Sequence, residues 1–97
     1  MVEELIAEEP LRTRLKYFVV ERLHLRDLQA ERIADNEPLL GGRIGLDSLD
    51  ALELFMGIEE EFGITIAGGD EPKAALTSIA SLAHFIRGQL TSATHAG

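Results

Sequence analysis

The chain has 97 residues, is 45% hydrophobic and 27% charged, contains no cysteine and carries a formal net charge of −8. These figures fit a single globular domain over 1–97, and a chain this short buries only roughly two-thirds of its unfolded surface, which argues against an enzyme with a deep, walled pocket. The acidic balance argues against nucleic acid or a membrane as partner, and the missing cysteine excludes disulfides and thiolate metal sites and fits a reduced, cytoplasmic setting.

The first nine residues read as an N-terminal extension with no basic region or long apolar run, hence not a secretory signal. Leu11, Leu15, Phe18, Val19 and Leu23 then recur at helical spacing, with Pro10 suited to a first turn, and predict a helix over 10–24. Residues 25–46 form a long connection. Its scattered apolar residues (Leu25, Leu28, Ile33, Leu39, Leu40, Ile44 and Leu46) are expected to pin it to the core, and Asp35-Asn36-Glu37-Pro38 and Gly41-Gly42 mark turns. Asp47 is a good N-cap and Gly63 a good stop for a second helix over 48–62. Ile64-Thr65-Ile66 is too short for a strand, Gly68-Gly69 makes a turn, and 71–75 allows one short helical turn. Thr77 is the expected N-cap of a last helix over 78–89, with Ile79, Leu82, Ile86 and Leu90 on one face. The small, polar residues 91–97 are expected to be a disordered tail. The predicted fold is all-α: a small up-and-down four-helix bundle, three main helices and one short, with a long loop between helices 1 and 2.

Charge is unevenly placed. From Ile44 to Glu71 there is no Lys or Arg among 28 residues, yet there are eight acids; the other nine acids are balanced by nine Lys and Arg. The second helix sits in this segment. At 100° per residue, Ala51, Leu54, Phe55, Ile58 and Phe62 make one apolar face, which suffices for a core. Leu49, Glu53, Met56 and Glu60 lie opposite, with Leu52 and Glu59 beside them. The three surplus apolar residues interleaved with carboxylates fit a docking face for a basic partner, unless helix 1 or the long loop covers them. Gly57 mid-helix costs roughly 1 kcal/mol relative to Ala, and close approach of a partner or a bound arm would account for it.

Ser48 falls at the first helical position, where backbone N–H groups lack partners and a phosphate is favoured. A plain capping role would also account for a serine there. A hydrolase elbow is excluded because Leu46 and Asp50 stand where glycines are needed, and Gly41-Gly42 lacks the Lys-Ser or Lys-Thr of a phosphate loop. His24, His84 and His95 have no metal spacing, and the acids from Asp47 onward do not follow a calcium-loop pattern.

Leu46-Asp47-Ser48-Leu49-Asp50, followed by Leu52-Glu53-Leu54 and Glu59-Glu60-Glu61-Phe62-Gly63-Ile64, resembles an acyl carrier protein over about residues 10–90. The resemblance implies a 4′-phosphopantetheine arm on Ser48, flanked by Asp47 and Leu49, donated from coenzyme A by a phosphopantetheinyl transferase (holo-carrier synthase). It implies a carrier and not an enzyme, holding acyl intermediates as thioesters for fatty-acid, polyketide or related pathways. Partner contacts would fall on Asp50, Leu52, Glu53, Met56, Glu59 and Glu60, meeting acyl-transferring and chain-extending enzymes with basic docking surfaces. Leu54, Phe55, Ile58, Phe62, Ile66 and Leu82 would line an acyl cavity in a monomeric chain. The alternatives are a peptidyl or aminoacyl carrier of non-ribosomal synthesis, or an unmodified acidic helical adaptor for a basic protein. The long loop and the N-terminal extension depart from the family's usual core.

Overall fold

Leu11, Leu15 and Val19, spaced four apart, are all buried, and they set the orientation of the first helix. In a computed structural model, which describes residues 8–66 and 70–96, that helix is α1, Glu8–Arg22. It ends two residues before the predicted 24 because His24 takes a left-handed conformation at φ 54°, and the Leu25 N–H turns back to the Val20 carbonyl at 3.0 Å. The expected extension over 1–9 lies mostly outside the described residues.

The long connection contains a single 3-10 turn, Ala30–Arg32, and is anchored as expected: Ala30, Ile33, Leu39, Ile44 and Leu46 are buried. Leu40 is the exception and stays exposed. Polar clasps hold the rest. The Arg43 guanidinium donates to both oxygens of Glu37 at 2.6 and 2.7 Å and to the Arg32 carbonyl at 2.9 Å. That pairing, followed by the Ala34 N–H, holds the Glu37 carboxyl below its usual range. Asp35 receives Lys16 at 2.6 Å and Arg12 at 3.0 Å from α1, and its carbonyl accepts the Ala80 N–H at 2.9 Å.

The second helix, α2, runs Ser48–Phe62 with Asp47 and Gly63 at its ends, as the sequence predicts. Gly63 adopts φ 66°, the left-handed stop that glycine supplies at no steric cost. The expected Gly68-Gly69 turn lies outside the described residues. A short helix, α3, spans Asp70–Ala75, and α4 spans Ile79–Ala96. Two expectations for the last helix are corrected. Ser78, not Thr77, is its cap: the Ser81 N–H donates to Ser78 Oγ at 3.1 Å and the Ser78 N–H to Ser81 Oγ at 2.9 Å. The Thr77 hydroxyl is spent on the Ala74 carbonyl at 2.7 Å, closing α3. The backbone also stays helical to Ala96, through the segment expected to be a disordered tail. No proline stands between Gly88 and Gly97 to stop it.

Four helices among the described residues thus make a small bundle of three long members and one short. α1 packs on α4 and α2, and α3 packs on α4. Leu54 and Ile58 of α2 meet Leu76, Ile79, Leu82, Ala83 and Ile86 in the shared core with α1. Burying side chains of this size is worth roughly 1.5–3 kcal/mol each before chain entropy is charged against it.

Candidate functional site

The start of α2 is fixed from both sides. Upstream, Gly41, Gly42 and Gly45 all have positive φ, and the chain between them folds back so that Leu46 meets its own loop. The Gly41 N–H donates to the Leu46 carbonyl and the Leu46 N–H to the Leu39 carbonyl, each at 3.1 Å. Leu39 and Leu46 are both buried, so the loop delivers Asp47 at a set position. Downstream, Asp47 and Asp50 form a reciprocal capping box. The Asp50 N–H donates to Asp47 Oδ1 at 2.9 Å, and the Asp47 N–H to Asp50 Oδ2 at 3.1 Å. Such a cap is worth about 1 kcal/mol.

Ser48 is therefore the first residue of the helix and is exposed, while the capping is done by its neighbours. Its hydroxyl is free for chemistry at the electropositive end of a four-turn helix.

Beside it opens an apolar groove of about 490 Å³. Leu40, Leu46, Ala51, Leu52, Phe55 and Leu76 form its walls, and Asp47, Ser48 and Lys73 complete the lining. Of the six residues expected to line a cavity, the structure brings only Phe55 here. Leu54, Ile58 and Leu82 are fully buried in the bundle. Phe62 packs edge-on to Phe18 at 6.4 Å, with the Arg14 guanidinium 4.9 Å over its ring, and Ile66 lies half-buried with its N–H bonded to Glu59. Leu40, Lys73 and Leu76 were missed because they come from the loop, from α3 and from the residue just after it, which no helical periodicity links to Ser48.

The opposite stripe of α2 is open. Leu49 is 76% exposed, Leu52 57% and Met56 46%; neither α1 nor the loop covers them. The carboxylates around them are partly engaged within the chain. Arg22 of α1 reaches Glu53 at 3.2 Å and Glu60 at 3.5 Å. Glu59 accepts the Ile66 N–H at 2.7 Å, Arg14 pairs with Glu61, and Asp50 serves the cap. Gly57 lies between Glu53 and Glu60 and is buried. A Cβ there would stand 2.8 Å from Arg22 Nε and 2.9 Å from Phe18 Cζ. The close approach that glycine permits is therefore that of α1, correcting the expectation of a partner or a bound arm.

No group of three or more possible metal ligands occurs among the described residues, and none of their helices is long and apolar enough to cross a membrane. The arrangement suits tethering: a projecting hydroxyl, a helix tip that favours a phosphate, an apolar groove alongside, and an adjacent face with apolar and acidic groups.

Residues 18–86 match the family model described as the phosphopantetheine attachment site. The chain is 38% identical over 74 residues to an acyl carrier protein of Buchnera aphidicola subsp. Baizongia pistaciae (strain Bp), an alignment covering 76% of this chain and 87% of the relative. No solved structure matches it.

Proposed function

The chain belongs to the phosphopantetheine-bearing acyl carrier family, and from that premise we propose that Ser48 is its attachment residue and the exposed stripe of α2 its docking face. Its function is to carry acyl groups on 4′-phosphopantetheine, and it is a carrier, not an enzyme. When bound, that cofactor supplies the thiol on which acyl groups ride as thioesters, so the chain needs no cysteine of its own.

The observation that carries the reading is the position of Ser48: exposed, first in α2, relieved of capping by Asp47 and Asp50, and in the lining of an apolar groove. The residues present fit the group. The helix tip would hold the phosphodiester, and Leu46, Ala51, Phe55 and Leu76 would hold the arm beyond it. Asp47 fixes the start of the helix and thereby aims the serine. Leu49 stands exposed next to it, where a modifying enzyme must approach.

Modifying and acyl-handling enzymes are the partners of such a carrier. Leu49, Leu52 and Met56 supply apolar contact, and Glu53 and Glu60 select a basic surface and speed encounter. Contacts of this kind are exchangeable, which suits a single-copy carrier that visits several enzymes in turn. The cargo belongs to fatty-acid, polyketide or related acyl chemistry.

Intact mass after incubation with coenzyme A and a broad-specificity transferase tests the attachment. The expected outcome is a gain on the order of 340 Da, the cofactor's contribution, that Ser48→Ala abolishes. No gain, or a gain that survives Ser48→Ala, refutes it and leaves an acidic helical adaptor.

A further inference from the structure

The tip of α2 has fewer donors to offer a phosphate than an uncapped helix. The Asp50 N–H is spent on the Asp47 carboxylate and the Ala51 N–H on the Asp47 carbonyl, leaving those of Ser48 and Leu49. The same capping box places two carboxylates, Asp47 and Asp50, either side of Ser48. A phosphodiester on Ser48 would thus add a negative charge to a helix start that already carries two carboxylates.

The groove holds one group of opposite sign. Lys73 lines it together with Ser48, and is the sole Lys or Arg between Arg43 and Arg87 in the sequence. Its ammonium makes no ion pair or hydrogen bond among the described residues. The backbone beneath it is firmly held. Leu76, three residues on, is buried and lines the same groove, and its N–H donates to the Lys73 carbonyl at 3.1 Å. Thr77 Oγ donates to the Ala74 carbonyl and Ser81 Oγ to the Ala75 carbonyl, both at 2.7 Å. A flexible cationic side chain on a fixed base, in an otherwise acidic stretch, opens onto the groove that Ser48 shares.

We propose that the Lys73 ammonium is the counter-ion this chain supplies to the phosphodiester formed on Ser48, and that it draws the arm over the groove. The proposal rests on the Ser48 attachment reading. It makes Lys73 a positioning residue, because the ammonium holds the tether and leaves the reacting sulfur untouched.

The test uses the full chain loaded with the bare, thiol-terminated arm, so that no acyl group contributes. Intact mass establishes loading. Phosphorus NMR of the loaded chain and the Lys73 side-chain ammonium resonance, before and after loading, then report the contact. Loading should move the Lys73 side-chain ammonium resonance, as expected when an anion is placed beside it. Lys73→Gln should move the phosphorus resonance and remove the salt dependence of its position, while Lys73→Arg should restore both. Thermal melts check that each variant folds. An unchanged Lys73 ammonium resonance on loading, with a phosphorus signal indistinguishable between wild type and Lys73→Gln, overturns the counter-ion role alone. Failure to gain mass overturns the Ser48 reading and this proposal with it.

Discussion

Replacing Gly57 by Ala sets two effects against each other. In isolation the change favours α2 by about 1 kcal/mol, because alanine costs the helix less than glycine. In this bundle the new methyl meets Arg22 Nε at 2.8 Å, Phe18 Cζ at 2.9 Å and Arg22 Cδ at 3.0 Å, all inside contact distance. Relieving that overlap requires α1 and α2 to part or both side chains to leave their positions, at about 1–3 kcal/mol. Displacing Arg22 also loosens its pairs with Glu53 and Glu60, which are partly exposed and worth under about 1 kcal/mol together. The net expectation is destabilisation by about 1–2 kcal/mol, or a Tm lower by roughly 5–15 °C in a domain this size. Thermal and urea melts followed by far-UV circular dichroism measure it. The Arg22→Ala, Gly57→Ala double variant should lose less than the sum of the single losses, because removing Arg22 vacates two of the three close contacts. A Gly57→Ala protein as stable as wild type or more so would refute the packing argument, since helix propensity would then have won.

Asp47→Ala should cost about 1 kcal/mol by removing the cap, whereas Ser48→Ala should change stability by less than about 0.5 kcal/mol; equal losses would make Ser48 the cap. Asp35 is held below its usual carboxylate range, chiefly by the hydrogen bond from Lys16 and further by the charges of Lys16 and Arg12. The stability this contributes is fully present above the unfolded value near pH 4 and is lost as pH falls through the lower folded value. Asp35→Asn should therefore melt earlier than wild type at neutral pH, by no more than about 1 kcal/mol after solvent screening, and match it at pH well below 4. Glu53→Lys should raise the KM for transferase loading several-fold at low salt, with kcat and helicity preserved; kinetics unchanged at low salt would remove Glu53 from the docking face.

Helix α2 was legible in full because its ends carry strong local chemistry: Asp47 with Asp50 at the start and Gly63 at the stop. The exposed stripe of Leu49, Leu52 and Met56 was legible from spacing alone, since one core needs one apolar face. The cap of α4 was misassigned to Thr77 because two adjacent hydroxyls, Thr77 and Ser78, both suit a cap, and only the close of α3 decides between them. The meaning of Gly57 was hidden because it depends on which residues of α1 cross α2. The groove beside Ser48 was beyond reach for the same reason. Its walls join the 40–46 loop, one side of α2 and α3, segments brought together by tertiary packing.

The Asp47–Asp50 box has a bearing on the carrier's life cycle. Under the proposed attachment, esterifying Ser48 would consume a hydroxyl on which the cap does not depend, so bare and loaded forms could share one backbone. A transferase would then meet a finished target with no rearrangement to drive.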